Sequence, residues 1–164
     1  MLSVVDPSSY DFVDVSRGKK LAASQPVNRA IRLAARALAA TDSLKNQEIT
    51  EGSDAFLVWQ AGERYQKGDV VTDPANGRQY IVVQAVEALE VYPPHSEGVL
   101  AIYRPVPTMG VDGTFHYIYG QNVFAGDRCY DGDGKLWVAQ KDMLPCTWPP
   151  AAGNEWKEAV SDET

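Results

Sequence analysis

Residues able to do acid–base or covalent chemistry are few and scattered. There are two histidines, His95 and His116, and two cysteines, Cys129 and Cys146. No Gly-x-Ser-x-Gly, no His-Glu-x-x-His and no phosphate loop surrounds any of them. Catalysis by carboxylates alone, as in glycosidases, uses pairs that a single sequence does not reveal, and 22 acids offer too many combinations to choose from. Two cysteines are too few for a disulfide framework or a cysteine-only zinc site. They read as reduced, packed thiols if the chain folds in cytosol, and whether they meet across their module stays open. Asp131-Gly132-Asp133-Gly134 starts like a calcium loop but lacks the longer ligand series and the distant Glu, so a hairpin turn explains it. No catalytic residue, metal or cofactor is assigned, and a non-enzyme is expected.

The remaining chemistry is aromatic. Tyr92 and Trp148 each precede a Pro-Pro pair. Rigid loops that display rings could stack on sugar faces or fill a protein pocket. The alternative is that both plug the end of their own core. Tyr117 and Tyr119 fall on one face of a strand at period two. With Tyr130 they are candidate ligand contacts, ordinary packing being the alternative. Trp59, Tyr80, Tyr103, Trp137 and Trp156 occupy strand or repeat positions and read as core.

The chain has 164 residues, enough for one ordinary domain or two very small ones. Its apolar and charged fractions, 45% and 23%, are those of a folded protein. A net charge of −7 argues against nucleic acid, which needs a cationic face. No run approaches the ~20 apolar residues of a membrane span. Met1-Leu2-Ser3-Val4-Val5-Asp6-Pro7 has neither a basic nor a long apolar signal segment, which reads against a secretory leader.

The elements that must position these rings divide along the chain. Residues 1–23 read as an extended arm, broken by Pro7-Ser8-Ser9 and carrying Phe12, that is mobile or laid on a partner. Residues 24–54 are a helical segment and linker. The helix covers 24–40, with Ser24 as cap and Pro26 in the first turn. Ile31, Ala34, Ala35 and Leu38 share one face at i, i+3, i+4, i+7, and Arg29, Arg32 and Arg36 another. The alanine-rich face docks on the chain's own β region or packs against a second subunit. Thr41-Asp42-Ser43 would cap a short second helix through Gln47, before the linker Glu51-Gly52-Ser53-Asp54.

From Phe56 onward short alternating runs between Gly, Pro, Asn and Asp read as β structure. Two hairpins stand out, one around Asn76-Gly77 and one around Asp131-Gly132-Asp133-Gly134. They align. Lys67-Gly68-Asp69 matches Ala125-Gly126-Asp127, and Asp73 matches Asp131, at an offset of 58. Gly77-Arg78-Gln79-Tyr80 matches Gly134-Lys135-Leu136-Trp137 at 57, Tyr92-Pro93-Pro94 matches Trp148-Pro149-Pro150 at 56, and Tyr103-Arg104 matches Trp156-Lys157 at 53. Residues 55–106 and 115–160 are thus two copies of one module, joined by 107–114. The expected fold is mainly β: an N-terminal arm and helix followed by two tandem small three-stranded β modules.

The anchors Tyr65-x-x-Gly68-Asp69-Val70-Val71, Gly77-x-x-Tyr80 and Tyr103-Arg104-Pro105-Val106 resemble the small chitin- and cellulose-binding modules (type five/twelve) of bacterial chitinases and cellulases. Val123-x-x-Gly126-Asp127, Gly134-x-x-Trp137 and Trp156-Lys157-x-x-Val160 repeat the likeness, with Val123 at the opening aromatic. Together they cover about 100 of 164 residues. The adjacent tryptophans that such modules stack on sugar rings are replaced by Gln84-Ala85-Val86-Glu87 and Gln140-Lys141-Asp142. The order of parts, Ala30-Ile31-Arg32-Leu33-Ala34-Ala35 through Leu44 to Val58-Trp59, is similar to that of small proteins of tailed bacteriophages and prophages. The resemblance implies a virion component, a tail, fibre or capsid-surface accessory, assembled in the host cytoplasm. It would meet other virion proteins through its arm and helix and a host-surface polysaccharide through its modules, without nucleic acid or membrane insertion. A homo-oligomer through Ile31, Ala34, Ala35 and Leu38 belongs to the same picture. The alternative is a purely architectural adaptor with no glycan binding.

Overall fold

The computed structural model describes residues 26–160. The arm expected over 1–23 and the Ser24 cap lie outside these residues. The fold is mainly β, with ten short strands and two α-helices among the described residues.

Helix α1 spans Pro26–Ala40. Ala35 and Ala39 are buried, and Ile31 and Leu38 pack beside them onto Val70, Ile81 and Val106. Alanine suits this face because it lets the helix backbone approach closely. A Cβ on Gly68 would stand 2.7 Å from the Arg36 Cα. Arg32 Nη1 donates to the Ala55 carbonyl (3.3 Å), and Arg36 pairs with Asp69. The helix is therefore bonded to its own module at both arginines. Ile31, Ala35 and Leu38 pack on this intramolecular core, the docking alternative for this face, with Ile31 and Leu38 only partly buried. Ala34 is exposed. The second helix, α2, is Asn46–Glu51 rather than a segment ending at Gln47. Lys45 starts it, its N–H held by Glu48 Oε2 at 2.8 Å, so the acid three residues on decides the start.

The first sheet has the order β1-β3-β4-β6, from Leu57–Val58, Val70–Thr72, Gln79–Val82 and Tyr103–Pro105. A two-stranded sheet, β2 (Arg64–Tyr65) with β5 (Val86–Glu87), closes beside it. The second sheet orders β7 (Phe115–His116), β8 (Arg128–Tyr130), β9 (Leu136–Ala139) and β10 (Trp156–Glu158) in the same way. The main sheet of each module is four-stranded, not three-stranded. β1 runs parallel to β3 and β7 parallel to β8. These first strands are two residues long, too short for alternation to show in a sequence.

The registers match across the two sheets. Leu57 pairs with Val71 as Phe115 does with Cys129, and Val82 pairs with Tyr103 as Ala139 does with Trp156. Gly68 and Gly126 hold φ of 88° and 89°, where a side chain is strained. The Asp after each glycine accepts from the N–H three residues upstream, Gln66 N to Asp69 Oδ2 (2.8 Å) and Phe124 N to Asp127 Oδ2 (2.9 Å). The step in offset has a local cause. The first hairpin closes from Asp73 N to the Arg78 carbonyl, the second from Asp131 N to that of Lys135, one residue shorter.

The first sheet is packed on both faces. Val70, Ile81 and Val106 meet the helices, while Val71, Tyr80, Val82 and Tyr103 face Tyr65 and Val99. The second sheet gathers its apolar cluster, Val123, Cys129, Ala139, Met143, Cys146 and Trp156, on one face.

Candidate functional site

The two Pro-Pro loops place their rings at equivalent positions. Tyr92 lies between β5 and β6 and is 55% exposed; Trp148 lies before β10 and is 54% exposed. In each case the second proline, Pro94 or Pro150, is buried and seats the loop. Neither ring plugs its core, so the display alternative describes their positions.

Each loop is pinned by polar contacts. In the first module the Asp73 carboxylate, 1% exposed, accepts from the Ala75 N–H (2.8 Å) and the His95 N–H (3.2 Å), and lies 2.6 Å from His95 Nδ1. The hairpin turn thereby holds the loop that carries Tyr92. In the second module the Trp148 carbonyl accepts from Trp156 Nε1 (3.0 Å) and Cys146 Sγ (3.3 Å). The Trp148 backbone is fixed from inside while its indole faces out.

Of the three other tyrosines, the structure separates Tyr117 from Tyr119. Strand β7 stops at His116, and after Tyr117, whose N–H still bonds the Tyr130 carbonyl (2.9 Å), 118–121 turns, with Gln121 N bonding the Ile118 carbonyl and Gly120 at φ 88°. Tyr117 packs edge-on against Trp156 (6.2 Å, 81°) and donates to the Cys146 carbonyl (3.3 Å). Burial pushes its hydroxyl well above the usual tyrosine range. It is a core residue, the counterpart of Trp59, whose Nε1 donates to Tyr103 Oη (3.1 Å). Tyr119 points outward, 60% exposed. The expected shared face of Tyr117 and Tyr119 is therefore corrected: the strand that would have made it ends at His116, before either tyrosine. Tyr130 is half-buried beside His116 (5.5 Å between rings) and donates to Asp112 Oδ2 at 2.6 Å. That bond holds the Asp112 carboxyl below the usual carboxylate range, helped by the Thr114 N–H.

The remaining groups with chemical potential are engaged internally. Cys129 and Cys146 are buried and unbonded to each other. Burial pushes the Cys129 thiol up to about 12, far from a reactive thiolate. Asp131 binds the Asp133 and Lys135 N–H groups through Oδ1 (2.9 Å each) and Trp137 Nε1 through Oδ2 (2.8 Å). The hairpin-turn reading of that run matches these bonds. Among the described residues no group of three or more His, Cys, Asp and Glu is placed to hold a metal. None of their helices is long and apolar enough to cross a membrane.

A cavity of about 80 Å³ lies where the modules meet, lined among others by Ala39, Lys67, Arg104, Asn122 and Phe124. Arg104 Nη1 donates to Asn122 Oδ1 (2.9 Å), and Asn46 Nδ2 to the Asn122 carbonyl (2.9 Å). Sequence reading did not find this junction or the Asp73–His95 contact. The repeat singled out Asp73, but its partner lies 22 residues downstream with no spacing motif to mark it. No family model matches the chain, and no curated protein matches it in sequence.

Proposed function

We propose that this chain is a non-enzymatic binding and structural protein of a phage particle, a tail, fibre or capsid-surface accessory whose two β modules touch a host-surface glycan. The observation that carries the reading is the duplicated display of Tyr92 and Trp148. Two rings on proline-stiffened loops, each seated by a buried proline, are half exposed at corresponding places in the two copies. Rings held this way lose little freedom on meeting the flat face of a sugar. Weak single contacts gain strength when two modules, or many copies on a particle, act together.

Positions after β4 hold Gln84, Ala85, Val86 and Glu87, and those after β9 hold Gln140, Lys141 and Asp142, so neither copy has an aromatic platform there. This favours soluble or surface-attached glycan chains over crystalline polysaccharide. It also favours the second reading, an architectural adaptor without glycan binding.

The test is a glycan array and a whole-cell binding assay on the full chain and on a Tyr92→Ala/Trp148→Ala variant. Binding by the native chain and its loss in the variant, with an unchanged circular dichroism spectrum, is the expected result. Blank arrays and no cell binding would leave the adaptor reading. Mass spectrometry of purified particles tests the virion assignment.

A further inference from the structure

The two sheets differ on the face that the helices cover in the first. There Val70, Ile81 and Arg104 line up across three strands, with Val58, Thr72 and Gln79 in the next row. α1 lies on this face. The matching rows of the second sheet are Arg128, Val138 and Lys157, then His116, Tyr130 and Leu136. Paired residues project to the same side of a sheet. The second module's apolar cluster lies entirely on the other side. Arg128, Lys157 and His116 are exposed, and Tyr130, Leu136 and Val138 half-buried.

Among the described residues no helix covers the matching face of the second sheet, and the residues on it are not those of a helix dock. Arg128 stands where Val70 receives α1. A second copy of α1 would bring three arginines and no acid against Arg128 and Lys157, a repulsive match. The face suits the opposite chemistry. In a chain of net charge −7 it presents two cations at the ends of one row. The Asp112 carboxylate beside it keeps its charge and is held by the Tyr130 hydroxyl. Glu158 is paired with Trp137 in register, so it projects to the other side, where it meets Lys135 (3.8 Å). Val138 lies between the cations, and Leu136, Tyr130 and His116 form the next row, its two rings tilted at 34°, so the face has a partly apolar floor beside the charged row.

We propose that this open face binds an acidic polysaccharide, laying sugar rings on Tyr130, Leu136 and Val138 and pairing their carboxylates with Arg128 and Lys157. The inference rests on the glycan reading above and names its substrate class. A nucleic acid would bring a far denser row of charges, which the overall negative charge opposes. A polysaccharide with a single carboxylate per sugar is compatible with two cations at the ends of a row.

The experiment is an amide-resolved NMR titration of the full chain with a galacturonic acid trisaccharide, with its methyl ester, and with a short DNA duplex. Saturable shifts centred on His116, Arg128, Tyr130 and Lys157 are expected with the acid. The ester is expected to bind about fivefold weaker or worse, and Arg128→Gln/Lys157→Gln to weaken the acid by a similar factor. Both substituted side chains are exposed, so the variant is expected to keep the native spectrum; Tyr130→Phe, which releases Asp112 onto the face, gives a second variant with the same expected direction. Equal binding of acid and ester, or an unchanged affinity in the double variant, would overturn the proposal. So would DNA binding as tightly through the same residues. Neutral sugars shifting only Tyr92 and Trp148 would overturn this inference while leaving the loop reading in place. Silence with every sugar would sink that reading as well.

Discussion

Gly68 and Gly126 have nearly the same backbone angle and different surroundings, which separates two effects that usually arrive together. Both hold φ close to 90°. A Cβ at Gly126 would meet nothing within 4 Å, whereas at Gly68 it would meet the Arg36 Cα at 2.7 Å and the Ala39 Cβ at 2.9 Å. Gly126→Ala thus carries the conformational cost alone, about 1–2 kcal/mol. Gly68→Ala adds helix displacement, bringing the loss to about 3 kcal/mol or more. Urea unfolding of both variants checks this, and equal midpoints would mean that α1 yields freely. The repeated Gly-Asp was plain in the sequence. That one copy has a helix pressed on its glycine was not, because the distinction lies in what folds over the residue and not in the residue.

At the scale of elements, α1 is the cover of the first sheet. Val70, Ile81 and Val106 are buried beneath it, each worth about 1.5–3 kcal/mol relative to exposure. A chain begun at Phe56 would leave that surface in water and is expected to aggregate or lose cooperative unfolding. Ala35→Glu in the full chain should act the same way, costing about 3 kcal/mol by forcing a carboxylate under the helix. Thermal unfolding and light scattering on both would decide it; a stable monomer from Phe56 onward would mean that the helix is dispensable. Periodicity placed this helix, and Ile31, Ala35 and Leu38 of its expected apolar face pack on the core, but Ala34 is exposed and Ala39, outside that reading, is buried. The partner was harder to read. An apolar helix face fits a sheet of its own chain as well as a second subunit, and only the position of Val70 and Ile81 beneath it separates the two. The opening strands, at two residues each, had no period to detect, and the end of β7 before Tyr117 depends on a turn at Gly120 that no neighbouring proline announces.

At the scale of the molecule, the modules are joined by more than a linker. Asn122 of the second module takes a hydrogen bond from Asn46 on its carbonyl and one from Arg104 on its side chain, and the Leu100 side chain lies against Gly120. Arg104 Nε and Asn46 Oδ1 are already buried without partners. Burial draws the Arg104 guanidinium below the ordinary arginine value, with Asp42 opposing. Removing the Asn122 amide by Asn122→Ala would strand Arg104 Nη1 as well, at a cost of about 1–3 kcal/mol. That loss should fall on the coupling between modules more than on either core. Hydrogen exchange reads it directly, because the amides of Val82 and Ala139 bond equivalent carbonyls, Asp69 and Asp127, in the two copies. In the native chain both amides should open with the same free energy, as one cooperative unit. In Asn122→Ala the Ala139 amide should open first, since its sheet is packed on one face and the Val82 sheet on two. Equal values in the variant would show that the junction contributes nothing to cooperativity. Unequal values in the native chain would show that the modules are independent already, and the two displays of Tyr92 and Trp148 would then act as separate weak sites on a tether instead of one rigid pair.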